Sequence, residues 1–320
     1  MSNPKKFMNR LRIDPLPVIL DRAPANIKYL ALKEFRYKEQ ELIEQVRAKV
    51  LADPEREKLL SEQDPEGYWP TDSNYTIEER HKAMLFLEQL KNLTRLYNYG
   101  ENLENDHVKK GLIALIKFQK TDGKFPLLLH HHGYALLLLN KFGLAGNPLV
   151  EKSYRWISKK QRHDGGWLSS TMLPKNSDHD KVKSCVWTTM VIVQAFSHHS
   201  RLKNSDISKK GAEFLLNHYL DTEAPSLFPE PNAWDYLLPN LNDQGMFRGG
   251  TLRFLETLAP LPEYHTHKIF NKAIDWLMDQ QFNDGLFPAI ANISKKGDYM
   301  VSYRVLRLLK RLDAERIDID

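Results

Sequence analysis

Gln161-Arg162-His163-Asp164-Gly165-Gly166-Trp167 ends one helix in a glutamine, turns through glycine and sets an aromatic ring six residues after the glutamine. The same arrangement returns at Gln63/Gly67/Trp69, Gln119/Gly123/Phe125 and Gln281/Gly285/Phe287. Four in-phase copies make an internal repeat, and a repeat of this kind describes stacked supersecondary units sharing one core. In each unit the glycine turns the chain, the aromatic packs beneath the turn, and the glutamine amide is placed to hold adjoining helix ends.

Two kinds of helix alternate around these turns. Val108/Leu112/Leu115/Ile116, Val150/Tyr154/Ile157 and Ile269/Ala273/Trp276/Leu277 form one-sided apolar stripes before three of the glutamines, and predict outer helices with a solvated face. Tyr134 to Leu139 and Cys185 to Phe196 are apolar nearly all round, which predicts helices buried on every side. A degenerate unit follows Gln161. Ala212/Leu215/Leu216/Tyr219 supply its outer stripe, and Leu241/Gly245/Phe247 hold the turn with the glutamine lost. The expected fold is all-α, a double ring of five to six helical hairpins. A basic lead-in and short helices over residues 1–57 precede a ring over 58–320. Within that lead-in, Pro24 and Asp53-Pro54 open helices, and Leu42/Ile43/Val46/Val50 mark another.

The chain has 320 residues, 42% apolar and 27% charged, as expected for a soluble globular protein. Its net charge of +5 is spread out. Short basic clusters such as Lys203/Lys209/Lys210 and Arg304/Arg307/Lys310/Arg311 read as solvated exterior, with weak attraction to anionic membranes and no nucleic-acid partner implied. The single cysteine, Cys185, excludes an internal disulfide and a Cys-rich zinc module. The basic start, Met1 to Arg12, lacks the apolar core of a signal peptide, and no run approaches the ~20 apolar residues of a membrane span. The expected location is cytoplasmic.

From Lys58 to Leu312, the Q-x-x-x-G-x-aromatic repeat with this helix alternation resembles the squalene/oxidosqualene cyclase and protein prenyltransferase superfamily of α/α toroids. Ala25-Asn26-Ile27-Lys28-Tyr29-Leu30 and Ser184-Cys185-Val186-Trp187-Thr188 look like a subgroup of single-domain prokaryotic toroids. The resemblance implies an apolar central cavity for an isoprenoid or other hydrophobic molecule, with active groups at the starts of inner helices. It also exposes departures. Prenyltransferases hold zinc with Asp-x-Cys and a later histidine; here Lys183 stands in the aspartate place beside Cys185, and Met300 in the histidine place. Class II cyclases carry an aspartic acid where this chain reads His130-His131-His132-Gly133-Tyr134-Ala135, and Asp178-His179-Asp180 continues with Lys181.

Candidate catalytic residues are therefore Asp178, Asp180, Cys185, His131 and His132, the groups able to give or take a proton near an inner helix start. His131, Asp180 and Cys185 can be drawn as a metal set, against the plainer reading of capping histidines and a core cysteine. Tyr134, Trp187, Arg248, Asp298, Tyr299 and Tyr303 are candidates for the substrate wall, with Arg248 suited to a diphosphate or carboxylate. Two other readings stand beside the isoprenoid one. The chain can be a non-catalytic toroid binding a protein or small ligand, or a polysaccharide-active α/α barrel that uses Trp187, Trp234, Tyr236 and Tyr299 against sugars.

Overall fold

The computed structural model describes residues 7–71, 78–168, 178, 181–221, 233–238 and 250–317. Among them run thirteen α-helices. These are α1 (Leu16–Arg22), α2 (Ala25–Phe35), α3 (Gln40–Leu51), α4 (Pro54–Ser61), α5 (Glu78–Asn98), α6 (Asp106–Lys117) and α7 (Leu129–Lys141). They continue with α8 (Pro148–Ser158), α9 (Val186–Ser197), α10 (Asp206–Asn217), α11 (Thr251–Leu258), α12 (Lys268–Asp279) and α13 (Tyr299–Ile317). The only strands among the described residues are a two-residue pair, β1 (Phe287–Pro288) antiparallel to β2 (Gly297–Asp298). The fold is an α/α toroid.

The outer helices start where side chains cap them. Asn105, Asn147, Ser205 and His267 each accept a hydrogen bond from a first-turn N–H of α6, α8, α10 and α12. Each then buries one stripe, for example Val150, Tyr154 and Ile157 on α8. The inner helices behave as their composition demands. His130 to Leu139 of α7 and the whole of α9 are buried, and these two helices pack on each other along their length. Gly133 allows the approach, since a Cβ there would lie 2.7 Å from the Ile192 side chain.

The repeat glutamine joins one hairpin to the next. Gln161 Nε2 donates to Gly165 O in its own turn at 2.8 Å and to Ile207 O in the first turn of α10 at 2.9 Å. Gln63 does the same with Gly67 O and with His107 O of α6. Gln119 reaches Leu149 O of α8, and Ser153 relays the bond to Gly123 O. The turn glycine rests on the same neighbouring helix: Gly165 has φ +87°, and a Cβ on it would meet Lys210 O at 2.6 Å. The aromatic anchors the turn from beneath, with Trp69 Nε1 donating to Leu59 O and Trp167 Nε1 to Ile157 O.

The N-terminal helices close the ring. Gln281 Nε2 donates to Gly285 O at 2.8 Å and to Ile13 O at 2.7 Å, while its Oε1 accepts from Arg12 N–H at 2.9 Å. Helices α1 and α2 then pack on α13, and Asn26 on α2 donates to Asn98 O at the end of α5. The inner ring therefore reads α2, α5, α7, α9, α11, α13, with α3 packed outside α2.

Replacing Gly165 with alanine should destabilise the fold. The positive φ alone costs about 1–3 kcal/mol for a residue with a side chain, and the clash with Lys210 O adds to it. Gly146→Ala, where nothing lies within 4 Å, should be close to neutral. Urea unfolding midpoints of the two variants check the contrast.

Candidate functional site

A cavity of about 770 Å³ lies inside the ring, and every inner helix contributes to its wall. Helix α2 supplies Leu30, Lys33 and Glu34, α5 supplies Thr94 and Tyr97, and α7 supplies Tyr134, Leu137 and Lys141. Gln194 comes from α9, Arg253 and Glu256 from α11, and Tyr303, Arg304, Arg307, Leu308 and Arg311 from α13. Most of these belong to the middle or C-terminal halves of their helices. At the helix starts, Trp187 packs on Trp234 at 4.9 Å between ring centroids, and Tyr219 stacks on Phe254 at 4.6 Å.

The interior is basic. Six cationic side chains line it: Lys33, Lys141, Arg253, Arg304, Arg307 and Arg311. Of the lining acids, Glu101 is held by Arg47 and Arg56 behind the wall, and Glu34 by Lys310. Glu104 sits on the exposed loop after α5. Among the described residues that leaves Glu256 as the carboxylate inside, gripped by Arg304 through Nε and Nη2. Burial opposes its ionisation, but the charges of Arg304, Arg307 and Lys141 outweigh burial and hold its carboxyl below the usual range. The cavity walls and the Arg304 and Arg307 charges push the Lys141 ammonium down to about 7, although its side chain remains exposed at the cavity mouth. Burial also lowers Arg253, to about 10, with Arg304 adding to the effect.

The walls around these charges are mixed. Lys141 Nζ stands over the Tyr97 ring at 4.9 Å, and Arg307 over the Tyr303 ring at 5.7 Å. Burial raises the Tyr303 phenol to about 12 against the opposing pull of Arg307, so it stays protonated at neutral pH. The Tyr134 hydroxyl is 2.9 Å from Thr94 Oγ1. Gln194 Oε1 and Arg304 Nη1 are buried and have no hydrogen-bond partner among the described residues.

The expected apolar cavity is thus corrected. The inner helices are apolar where they pack on one another, but the faces left open to the centre carry lysine and arginine. The basic cluster of α13 divides around this space: α13 buries Val301, Val305, Leu309 and Leu312, and Arg304, Arg307 and Arg311 line the cavity, with Arg304 half-buried and Arg307 still exposed to solvent. Their spacing along one helix, flanked by apolar positions, was the signal. Lys141, Arg253 and Glu256 had none in the sequence beyond lying in predicted helices or beside the degenerate turn.

The candidate residues are distributed as follows. Tyr134 and Tyr303 line the cavity. Cys185 is buried as the N-cap of α9: its N–H donates to Trp167 O, and its Sγ accepts from Thr188 N–H at 3.5 Å. His132 accepts from Phe125 N–H at Nδ1 and has Ser153 O at 3.3 Å from Nε2. Thr189 Oγ1 takes Trp167 N–H and Ser302 Oγ takes Phe287 N–H, so His132 holds its turn as they hold theirs. His131 is buried with its ring centroid 3.9 Å from that of His130. Trp187 packs on Trp234, and Asp298 Oδ1 accepts from Val301 N–H at the start of α13. Tyr299 is partly buried against the α1–α2 cluster. Asp178 lies at the surface, 3.1 Å from Lys181. Asp180 and Arg248 fall outside the described residues. Among the described residues, no three His, Cys, Asp or Glu side chains converge as metal ligands. None of the described residues forms a helix long and apolar enough to cross a membrane.

No family model matches the chain, and no curated protein matches it in sequence. Solved structures with a similar course include a polysaccharide lyase, 10% identical over 95% of this chain and 90% of that one, with a TM-score of 0.47. A glycosyl hydrolase of family 88 from Bacteroides vulgatus is 11% identical over 97% of each chain, with a TM-score of 0.42. The type II terpene cyclase MstE from Scytonema, with a product bound, is 14% identical over 80% of this chain and 94% of that one, at a TM-score of 0.28. Likeness at these levels carries nothing about activity, so the cavity itself must bear the functional reading.

The buried histidines predict acid sensitivity. Burial pushes His130 down to about 2 and His132 to about 3, whereas an unfolded imidazole titrates near 6.5. The unfolded chain therefore binds more protons below that value. Their contribution is full above pH ~6.5 and is lost as pH falls toward 3, at up to about 1.4 kcal/mol per pH unit for each ring. Urea midpoints at about pH 7.5 and pH 5 should show a smaller difference for His132→Gln than for the unmodified chain.

Proposed function

We propose that the toroid is a receptor for an anionic organic molecule, bound inside the ring with its charged group among Lys141, Arg253, Arg304 and Arg307. The observation that carries this reading is the charge balance of the interior: among the described residues, Lys141, Arg304 and Arg307 face one carboxylate, Glu256, with Arg253 beside them. Gathering like charges in one confined space is unfavourable unless an anion offsets them. Arginine forks suit phosphate and carboxylate oxygens, and the buried Nη1 of Arg304 adds a donor with no acceptor among the described residues.

The carbon skeleton of the ligand would rest against Leu137, Phe142, Leu308 and the Tyr97 ring. An isoprenoid diphosphate meets both requirements, so the hydrophobic-substrate reading persists in amphiphilic form. An acidic saccharide is the second reading. It is favoured by the Gln194 Oε1 acceptor and the Thr94 and Tyr134 hydroxyls on the same wall, which suit a hydroxylated skeleton. Catalysis is not needed for either.

Thermal-shift and calorimetric titrations with inorganic pyrophosphate, farnesyl diphosphate, farnesol and digalacturonate separate these readings. Pyrophosphate and at least one of the larger anions should raise the melting temperature, and farnesol should not. Arg307→Gln, which orphans no carboxylate, should weaken anion binding about 10-fold, or ~1.4 kcal/mol. A response to farnesol alone returns the apolar cavity, and a response to none of the four leaves a scaffold.

A further inference from the structure

We propose that Lys141 captures a carbonyl compound as an imine, and that the compound is an aldehyde or ketone bearing a carboxylate or phosphate close to its carbonyl, such as a 2-oxo acid or an aldehyde phosphate. This deepens the anion-receptor reading and rests on it. Lys141 is the last residue of α7, and its side chain is open to the cavity although the ten residues from His130 to Leu139 are buried. Lys109, Lys117, Lys181 and Lys310 each meet a carboxylate at 3.2 Å or less. Among the described residues Lys141 meets none within ion-pair distance, and lies over the face of Tyr97 instead.

The charges around Lys141 come from the helices across the ring. Arg304 and Arg307 on α13 and Arg253 on α11 disfavour its ammonium form, and Glu256 on α11 opposes them. Placing a lysine beside other cations is a recognised way to make an amine nucleophilic at neutral pH. The depression to about 7 agrees with this placement, whereas an ordinary lysine keeps only about one amine in a thousand uncharged there. The same arginines that expose the lone pair would hold the ligand's anionic group beside it, so one cluster provides both recognition and reactivity.

The step balances without a co-reactant. The neutral amine attacks the carbonyl carbon, the C–N bond forms, and the π pair moves to oxygen. That oxygen collects the two protons the nitrogen gives up and leaves as water, so C=N replaces C=O. One further proton from solvent makes the iminium, whose charge faces the ligand's own anion.

The test uses the full chain, pyridoxal 5′-phosphate and glyoxylate as probes, borohydride reduction, and peptide mass spectrometry. Lys141 should be modified at least ~10-fold faster than exposed Lys109. Inorganic pyrophosphate should protect it, pyridoxal without the phosphate should react more slowly, and Lys141→Arg should lose the fast site. Modification of the unmodified chain spread evenly over surface lysines overturns the inference, whether or not the variant folds. If pyrophosphate raises the melting temperature while Lys141 stays unmodified, the imine falls and the receptor stands. Equal rates with pyridoxal and its phosphate, without pyrophosphate protection, remove the anionic requirement and the receptor reading together.

Discussion

The structure depends on one primary amide used repeatedly. Gln63 and Gln161 spend their two N–H donors on their own turn and on the first turn of the next outer helix, Gln119 reaches its own turn through Ser153, and Gln281 joins its turn to Ile13. A net hydrogen bond of this kind contributes roughly 0.5–1.5 kcal/mol, and an orphaned buried carbonyl costs about 1–3 kcal/mol. The larger effect is geometric. Because the amide fixes the offset between successive hairpins, it fixes how far apart the inner helices stand, and so the width of the space they enclose. The His132, Thr189 and Ser302 side chains complete the arrangement from the inner ring by taking the N–H of the aromatic residue.

The enclosed space is charged in two distinct ways. Lys33 and Lys141 sit in the last turns of α2 and α7, where the negative ends of the helix dipoles favour a cation. Arg304 and Arg307 sit within α13, away from either end, and receive no such help. Part of the basic character is therefore compensated by the fold, and part of it is directed at whatever enters. Tyr97 and Tyr303 spread flat aromatic surface under two of these cations, which lowers the cost of keeping them ordered.

The scaffold was legible in the sequence because every requirement of the ring leaves a mark at fixed spacing. Gln161, Gly165 and Trp167 each do one job that few other residues can do, and the stripes on α6, α8 and α12 repeat with the helix. The cavity was not legible because charged residues on an inner helix look like any solvated face until the direction of that face is known. Arg304 and Lys310 illustrate this: they lie close in sequence on α13, yet one grips Glu256 inside the ring and the other pairs with Glu34. Cys185 and His132 show the other side of this. The sequence offers them as candidates for chemistry, and in the structure a sulfur and an imidazole close a helix start and a turn.

The closure between Gln281 and residues Arg12 and Ile13 has a consequence for how the chain assembles. Hairpins that follow one another in sequence can stack as they form, each at modest loop entropy, but the closing contact spans 268 and 269 positions. Phe7 and Met8 add a second fastening, across 306 and 305 positions, by donating to the Asp313 carboxylate. An open arc of hairpins can exist before these bonds form, with α13 and α2 unjoined and the arginines of α13 still in water. Closure of the circle is what gathers these cations around one space, so a molecule that neutralises the centre would also favour the closed ring.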